Sequence, residues 1–235
     1  MLILLLAAVV PAMYLLRKVY KMDRIEKEPG RLLVKLLFWG AVSGAPAAVV
    51  ESLLQGLLNQ YVTAGTLLYN LLSGFVVAAL VEEGFKFFFL YKVTFKSPAF
   101  NYRFDGVVYA VFMSMGFAIL ENILYVFQGG LGVAASRALL ALPLHAACGV
   151  YMGIAYGQQK AHSLYAPHSF FSVAKACLPA PILIHGFYDF CAFMGTWPYM
   201  VLFFGFVILI FSLTLKKLKK ASLEDGPVEE VVIDG

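Results

Sequence analysis

Seven apolar stretches, at about residues 1 to 16, 32 to 55, 66 to 91, 105 to 127, 137 to 158, 172 to 193 and 197 to 215, fill most of a 235-residue chain, with only short polar breaks between them. A hydrocarbon core about 30 Å thick takes roughly 20 apolar residues to cross as a helix, and every stretch but the short first is close to that length. In lipid each backbone N–H and C=O must be paired inside the protein, and a helix does this within its own segment. The expected fold is therefore all-α, a polytopic transmembrane helical bundle of about seven spans. Composition agrees, with 61% hydrophobic and 14% charged residues against roughly 45 to 50% and 25% in soluble domains. Residues 1–220 read as one transmembrane domain. Residues 221–235, which carry Glu224, Asp225, Glu229, Glu230 and Asp234 with little apolar mass, read as a flexible acidic cytoplasmic tail.

The net charge of +4 does not call for nucleic acid, because the basic residues flank the apolar runs, where charge encodes membrane orientation. Arg17, Lys18, Lys21, Arg24, Lys27, Arg31 and Lys35 surround the first connection, whereas residues 56–65 carry no charge. Lys92, Lys96 and Arg103 mark the next basic connection, Arg137 stands alone in the one after, Lys160 and Lys175 flank the following one, and Lys216 to Lys220 close the last span. This alternation predicts an outside N-terminus and a cytoplasmic C-terminus, with anionic lipid headgroups against the basic loops. Cys148, Cys177 and Cys191 form no CxxC pair and read as small core residues. The opening stretch lacks a basic leader and runs into Arg17 and Lys18, so it reads as an uncleaved span.

Titratable residues inside the spans are the informative exceptions. The third span contains Glu82, Glu83 and Lys86, the fourth Glu121 beside Asn122, the fifth His145, and the sixth His185 and Asp189. An acidic or basic residue at the centre of a spanning helix costs about 2.5 to 3.5 kcal/mol on insertion scales, so such a set needs mutual compensation or a use. Residues four apart share a helix face, which pairs Glu82 with Lys86 and His185 with Asp189. Glu83 is then expected to point elsewhere, anchoring the site or pairing with Lys86. Gly84 and Gly186 leave room for close approach of a neighbouring helix or a substrate. Glu51 and Asp105 read as interfacial, and His162 and His168 as loop residues.

Taken together these motifs resemble the PrsW family of membrane-embedded proteases, related to the type II CAAX prenyl endopeptidases. The resemblance rests on Glu82-Glu83-x-x-Lys86, Phe117-x-x-x-Glu121, His145 and His185-x-x-x-Asp189, and covers residues 67–190. Glu121 stands where the second motif of the prenyl endopeptidases ends in His, and Asp189 where their fourth commonly has Asn, so the likeness is to the PrsW branch. It implies a multi-pass protein of the bacterial cytoplasmic membrane that makes the first cut in a single-pass anti-sigma factor, part of a stress response. The family has been treated both as metalloprotease-like and as glutamate-dependent.

The residues themselves allow a specific expectation. Glu82, or alternatively Glu83, serves as general base toward a water that attacks a peptide carbonyl. His145 and His185 donate to the developing oxyanion, and Asp189 or Glu121 orients an imidazole. No cofactor is required by that scheme. An alternative uses zinc on His145, His185 and Glu121 with a fourth position open for water. Another reads the same groups as a proton or cation path in a transporter.

Overall fold

The structure, a computed structural model, describes residues 1–163 and 169–228. Among these residues the chain is helical almost throughout: α1 (Leu2–Met22), α2 (Gly30–Tyr61), α3 (Leu67–Leu72), a π-helical segment (Ser73–Leu80), α4 (Val81–Thr94), α5 (Asp105–Leu139), α6 (Ala141–His162), α7 (Phe170–Cys177), α8 (Pro179–Met194) and α9 (Trp197–Leu223). An isolated antiparallel bridge joins Tyr102 to Pro227. The seven expected spans correspond to α1, α2, the continuous α3–π–α4 rod, α5, α6, the α7–α8 pair and α9. The helices α1, α2 and α9 and the α5–α6 stretch are long and apolar enough to cross a membrane, and α7 with α8, bent by 47°, forms a further candidate span. The chain is a multi-pass membrane protein.

Helix α5 is the centre of the bundle. Every residue from Asp105 to Ala118 is buried, as expected of a helix that is apolar on all sides and surrounded by other helices. Helix α6 runs back along it at backbone contact: a Cβ on Gly153 would lie 2.4 Å from Val107 Cα, and one on Gly149 would lie 2.9 Å from Val111 Cα. Small residues permit this approach where apolar solvent offers no drive to associate.

The expected fourth span ends near residue 127, but the helix continues to Gly129 and reverses at Gly130, whose φ of 72° is open to glycine without steric cost. Residues 131–139 then double back, so that Ala134 packs with Val126 and with Ala8 of α1. The C-terminal segment also differs from a free tail. Helix α9 extends to Leu223, Asp225 Oδ1 accepts from Phe104 N at 2.8 Å, and Val228 N donates to Asn101 O at 2.7 Å. Val228 is buried. Glu229, Glu230, Asp234 and His168 lie outside the described residues, and His162 ends α6.

Candidate active site

Four helices bring the intramembrane polar residues together. On α4, Glu82, Glu83 and Lys86 follow the π segment, a local widening of the helix that occurs often at functional sites. That segment packs on α8 at backbone distance: a Cβ on Gly74 would meet Phe190 N at 2.9 Å, and one on Gly186 would meet the Phe75 ring at 2.4 Å. The expectation of a close neighbour at Gly186 holds, and the neighbour is Phe75. At Gly84 it does not hold, since nothing stands within 4 Å of a Cβ there. The packing of the π segment on α8 sets His185 and Asp189 beside the glutamates that follow it, and the α5–α6 seam sets Glu121 beside His145.

Lys86 is the hub. Its Nζ donates to Glu83 Oε1 at 2.8 Å and to Glu82 Oε2 at 3.0 Å, and lies 3.0 Å from His145 Nδ1. It also sits 4.0 Å from the centroid of the Phe117 ring, a favourable place for a cation. Glu83 and Lys86 are fully buried. Glu83 takes one of its two expected roles, pairing with Lys86, and the long lysine side chain lets both carboxylates converge on the one ammonium.

An ammonium has only donors, so His145 Nδ1 accepts from Lys86 and its Nε2–H donates to Glu121 Oε2 at 3.0 Å. Both nitrogens of His145 are thereby engaged. His185 Nδ1 faces Glu83 Oε1 at 3.0 Å, while its Nε2 faces Asp189 Oδ2 at 3.3 Å and Glu82 Oε2 at 3.9 Å. The two imidazole rings are 5.2 Å apart and nearly perpendicular. All seven expected site residues therefore belong to one connected network.

A cavity of about 630 Å³ opens on this network, and Glu82, Glu121, His145, His185 and Asp189 line it. Glu83 and Lys86 stand behind them. Tyr125 and Tyr188 also line the cavity, whereas Asn122 is buried and bonded to Ala8 O at 2.7 Å. Glu51 is not simply interfacial: it lines the cavity, and its Oε1 is buried without a hydrogen-bond partner. Sequence reasoning missed Arg137, which donates to Glu121 Oε2 at 2.8 Å. The available signal was that Arg137 is the sole Lys or Arg between Arg103 and Lys160, yet it reads as a loop charge when the reversal at Gly130 is unknown.

Glu82, Glu83, His145 and His185 each offer a donor atom, all within 4.8 Å of one another, and the donor types suit zinc. The space between them is taken. Zinc holds carboxylate oxygens and imidazole nitrogens at about 2.0 to 2.2 Å, and an ion reaching Glu82, Glu83 and His145 would have to stand where Lys86 Nζ stands, 2.8 to 3.0 Å from an atom of each. In the alternative set of His145, His185 and Glu121, Lys86 stands on His145 Nδ1 while Nε2 lies 3.0 Å from Glu121 Oε2. With Lys86 in this place, Glu82, Glu83 and His145 Nδ1 do not close on a bound divalent ion.

Fold and site together define a polytopic membrane protein with an acid–imidazole centre opening on a cavity within its helices. A family model described as the PrsW family intramembrane metalloprotease matches residues 28–215, and the chain belongs to that family. It is 32% identical to Protease PrsW of Oceanobacillus iheyensis, over 94% of this chain and 97% of the relative. It is also 32% identical to Protease PrsW of Bacillus subtilis (92% and 94% covered) and 30% identical to that of Clostridioides difficile (92% and 90% covered). No solved structure matches. The chain is a membrane-embedded peptidase.

Proposed function

We propose that Glu82 is the general base of a peptide-bond hydrolysis centred on an internal ammonium, with no metal in the bond-breaking step. The observation that carries this reading is the division of labour between the two glutamates: Glu82 lines the cavity and Glu83 is sealed behind it on Lys86 and His185. In the scheme, Glu82 takes a proton from water as the water oxygen attacks the scissile carbonyl carbon. His185 lines the cavity with its Nε2 3.3 Å from Asp189 Oδ2 and 3.9 Å from Glu82 Oε2, and in the scheme this N–H turns from Asp189 to the oxyanion as it forms. Glu82 then returns the proton to the amide nitrogen as the C–N bond breaks. His145 acts differently from the expectation, since its N–H is spent on Glu121; it holds Lys86 and does not reach an oxyanion.

The proposed substrate is a single-pass membrane protein of the anti-sigma-factor class, as the family resemblance implies, cut in a stress response at the bacterial cytoplasmic membrane. The proposed orientation places the N-terminus outside and the basic connections in the cytoplasm against anionic lipid. A helical substrate has to unwind before its carbonyl can be attacked, and the freed backbone needs polar partners; Tyr125, Tyr188 and Glu51 on the cavity wall support this reading. Co-expression of a candidate anti-sigma factor with wild type, Glu82→Gln and His185→Ala tests it. A cleavage fragment with wild type alone is the expected result, and an undiminished fragment with Glu82→Gln removes Glu82 from the mechanism.

A further inference from the structure

Arg137 is reached only because the chain turns back on itself. Gly130 breaks α5, and residues 131–139 return along the same helix until Arg137 lies beside Glu121 and Asn122, 16 and 15 residues away in sequence. There the guanidinium is held on three sides. Its Nη2 donates to Glu121 Oε2 at 2.8 Å, its Nε donates to Asn122 Oδ1 at 2.9 Å, and its plane lies over the Tyr125 ring at 4.3 Å. Asn122 is itself tied to α1 through Ala8 O. Arg137 is thus fixed by three groups of α5, one of them tied in turn to α1, and it lines the cavity.

The decisive detail is the identity of one atom. Glu121 Oε2 accepts from Arg137 Nη2 and from His145 Nε2 at once, at 2.8 and 3.0 Å. Anything that lets Glu121 rotate withdraws the acceptor from His145 Nε2. Without that acceptor the ammonium of Lys86 alone selects the Nε2–H tautomer, and a buried Nε2–H left without a partner weighs against it, so the Nδ1–H tautomer turned away from Lys86 gains population. The second-layer contact therefore reaches Lys86 through two side chains.

We propose that Arg137 is a positioning residue for this site: by clamping Glu121 and Asn122 it keeps Glu121 Oε2 on His145 Nε2, and so fixes the tautomer that lets His145 hold Lys86. Arginine suits the task because donors from Nε and Nη are set in one plane, which a lysine ammonium does not reproduce. The kinetic part of this proposal rests on the hydrolytic reading above; the tautomer part does not.

Two measurements on the full-length protein in detergent or vesicles test it. The first is the ¹⁵N spectrum of the His145 imidazole, which distinguishes Nε2–H from Nδ1–H without any substrate. Wild type should show Nε2–H, Arg137→Ala should show a mixture, and Arg137→Lys should fall between. An unchanged His145 spectrum in a folded Arg137→Ala protein overturns the proposal. The second is turnover of a cleavable single-pass substrate. Misplacing a positioned group commonly costs up to about 100-fold, so Arg137→Ala should lower kcat about 10- to 100-fold with KM within about twofold, and guanidinium ion should restore part of it. In a Glu121→Gln background the same change should cost nothing further, because the two act as one unit. Fully multiplicative losses, or a change in KM alone, contradict the proposal. Should wild type itself fail to cleave, the hydrolytic reading fails while the imidazole spectrum still decides the role of Arg137.

Discussion

Among the described residues, buried carboxylates occur at two places, about four turns apart along α5, and only one of them has the makings of a reactive centre. Near the start of α5, Asp105 Oδ2 accepts from the backbone N–H groups of Tyr102 and Asn101 at 2.7 and 3.0 Å. Glu28 accepts from Tyr109 Oη, and Asp225 from Phe104 N. Asp23, Glu28 and Asp105 are all buried. Neither the cavity on the Lys86 network nor a second one lined by Leu80, Val81, Gly84, Phe85, Phe88 and Phe170 reaches these groups. Their partners are mostly backbone donors and a phenol from the connections around α1, α5 and α9, so the cluster behaves as a clasp that joins those connections. The cluster around Lys86 instead gathers carboxylates from three helices around a lysine and two imidazoles and exposes Glu82 to a cavity. Burial of charge marks both; access and a shared cation separate them.

That contrast is open to direct attack. Glu82→Gln keeps the shape of the cluster and should lower cleavage by about 10² to 10⁴, the usual worth of a general base, with the unfolding midpoint in detergent little changed. A comparable loss from Tyr109→Phe, in the clasp, would erase the distinction. Lys86→Met leaves Glu82 and Glu83 without their cation and should destabilise the folded protein by about 3 to 5 kcal/mol, read as a large drop in the thermal midpoint together with loss of cleavage. Tyr109→Phe removes the donor to Glu28 and should cost about 1 to 3 kcal/mol while kcat stays at the wild-type value.

The smallest effect concerns pH. Burial pushes the Asp23 carboxyl from 3.8 up to about 6, and burial also raises Glu28. A raised carboxyl means that the folded state favours the protonated form, so the stability contributed by Asp23 is present below its ordinary value and is lost as pH rises through about 6. Thermal unfolding of wild type should therefore show a fall over that window that Asp23→Asn lacks. Cleavage measured at fixed pH should be the same in both proteins.

Fold class was legible because apolar length is a physical requirement of crossing a bilayer, and it survives in composition alone. The site was legible for a related reason: Glu82, Lys86, Glu121, His145, His185 and Asp189 are costly where they stand, and the Glu82–Lys86 and His185–Asp189 spacings already place each pair on one face. What escaped were features made by tertiary packing. The reversal at Gly130 lies in the connection between two apolar stretches, at Gln128-Gly129-Gly130; a Gly-Gly pair signals a turn but not that the chain leaves it folded back on α5, which hid the inward turn of Arg137. Helical spacing separates Glu82 from Glu83 by about 100°, yet the long lysine side chain reaches both. The docking of residues 225–228 depends on hydrogen bonds to the distant Asn101–Phe104 backbone, and acidic composition carries no sign of it.

The central claim is that the ammonium of Lys86 stands where a catalytic divalent ion would have to be. Metal content measured on the same purified, cleavage-competent sample, before and after exhaustive chelation, tests that claim most directly. Far less than one zinc ion per chain, with turnover unchanged by the chelator, is the predicted result. One tightly held ion per chain, whose removal abolishes cleavage and whose return restores it, would contradict the account.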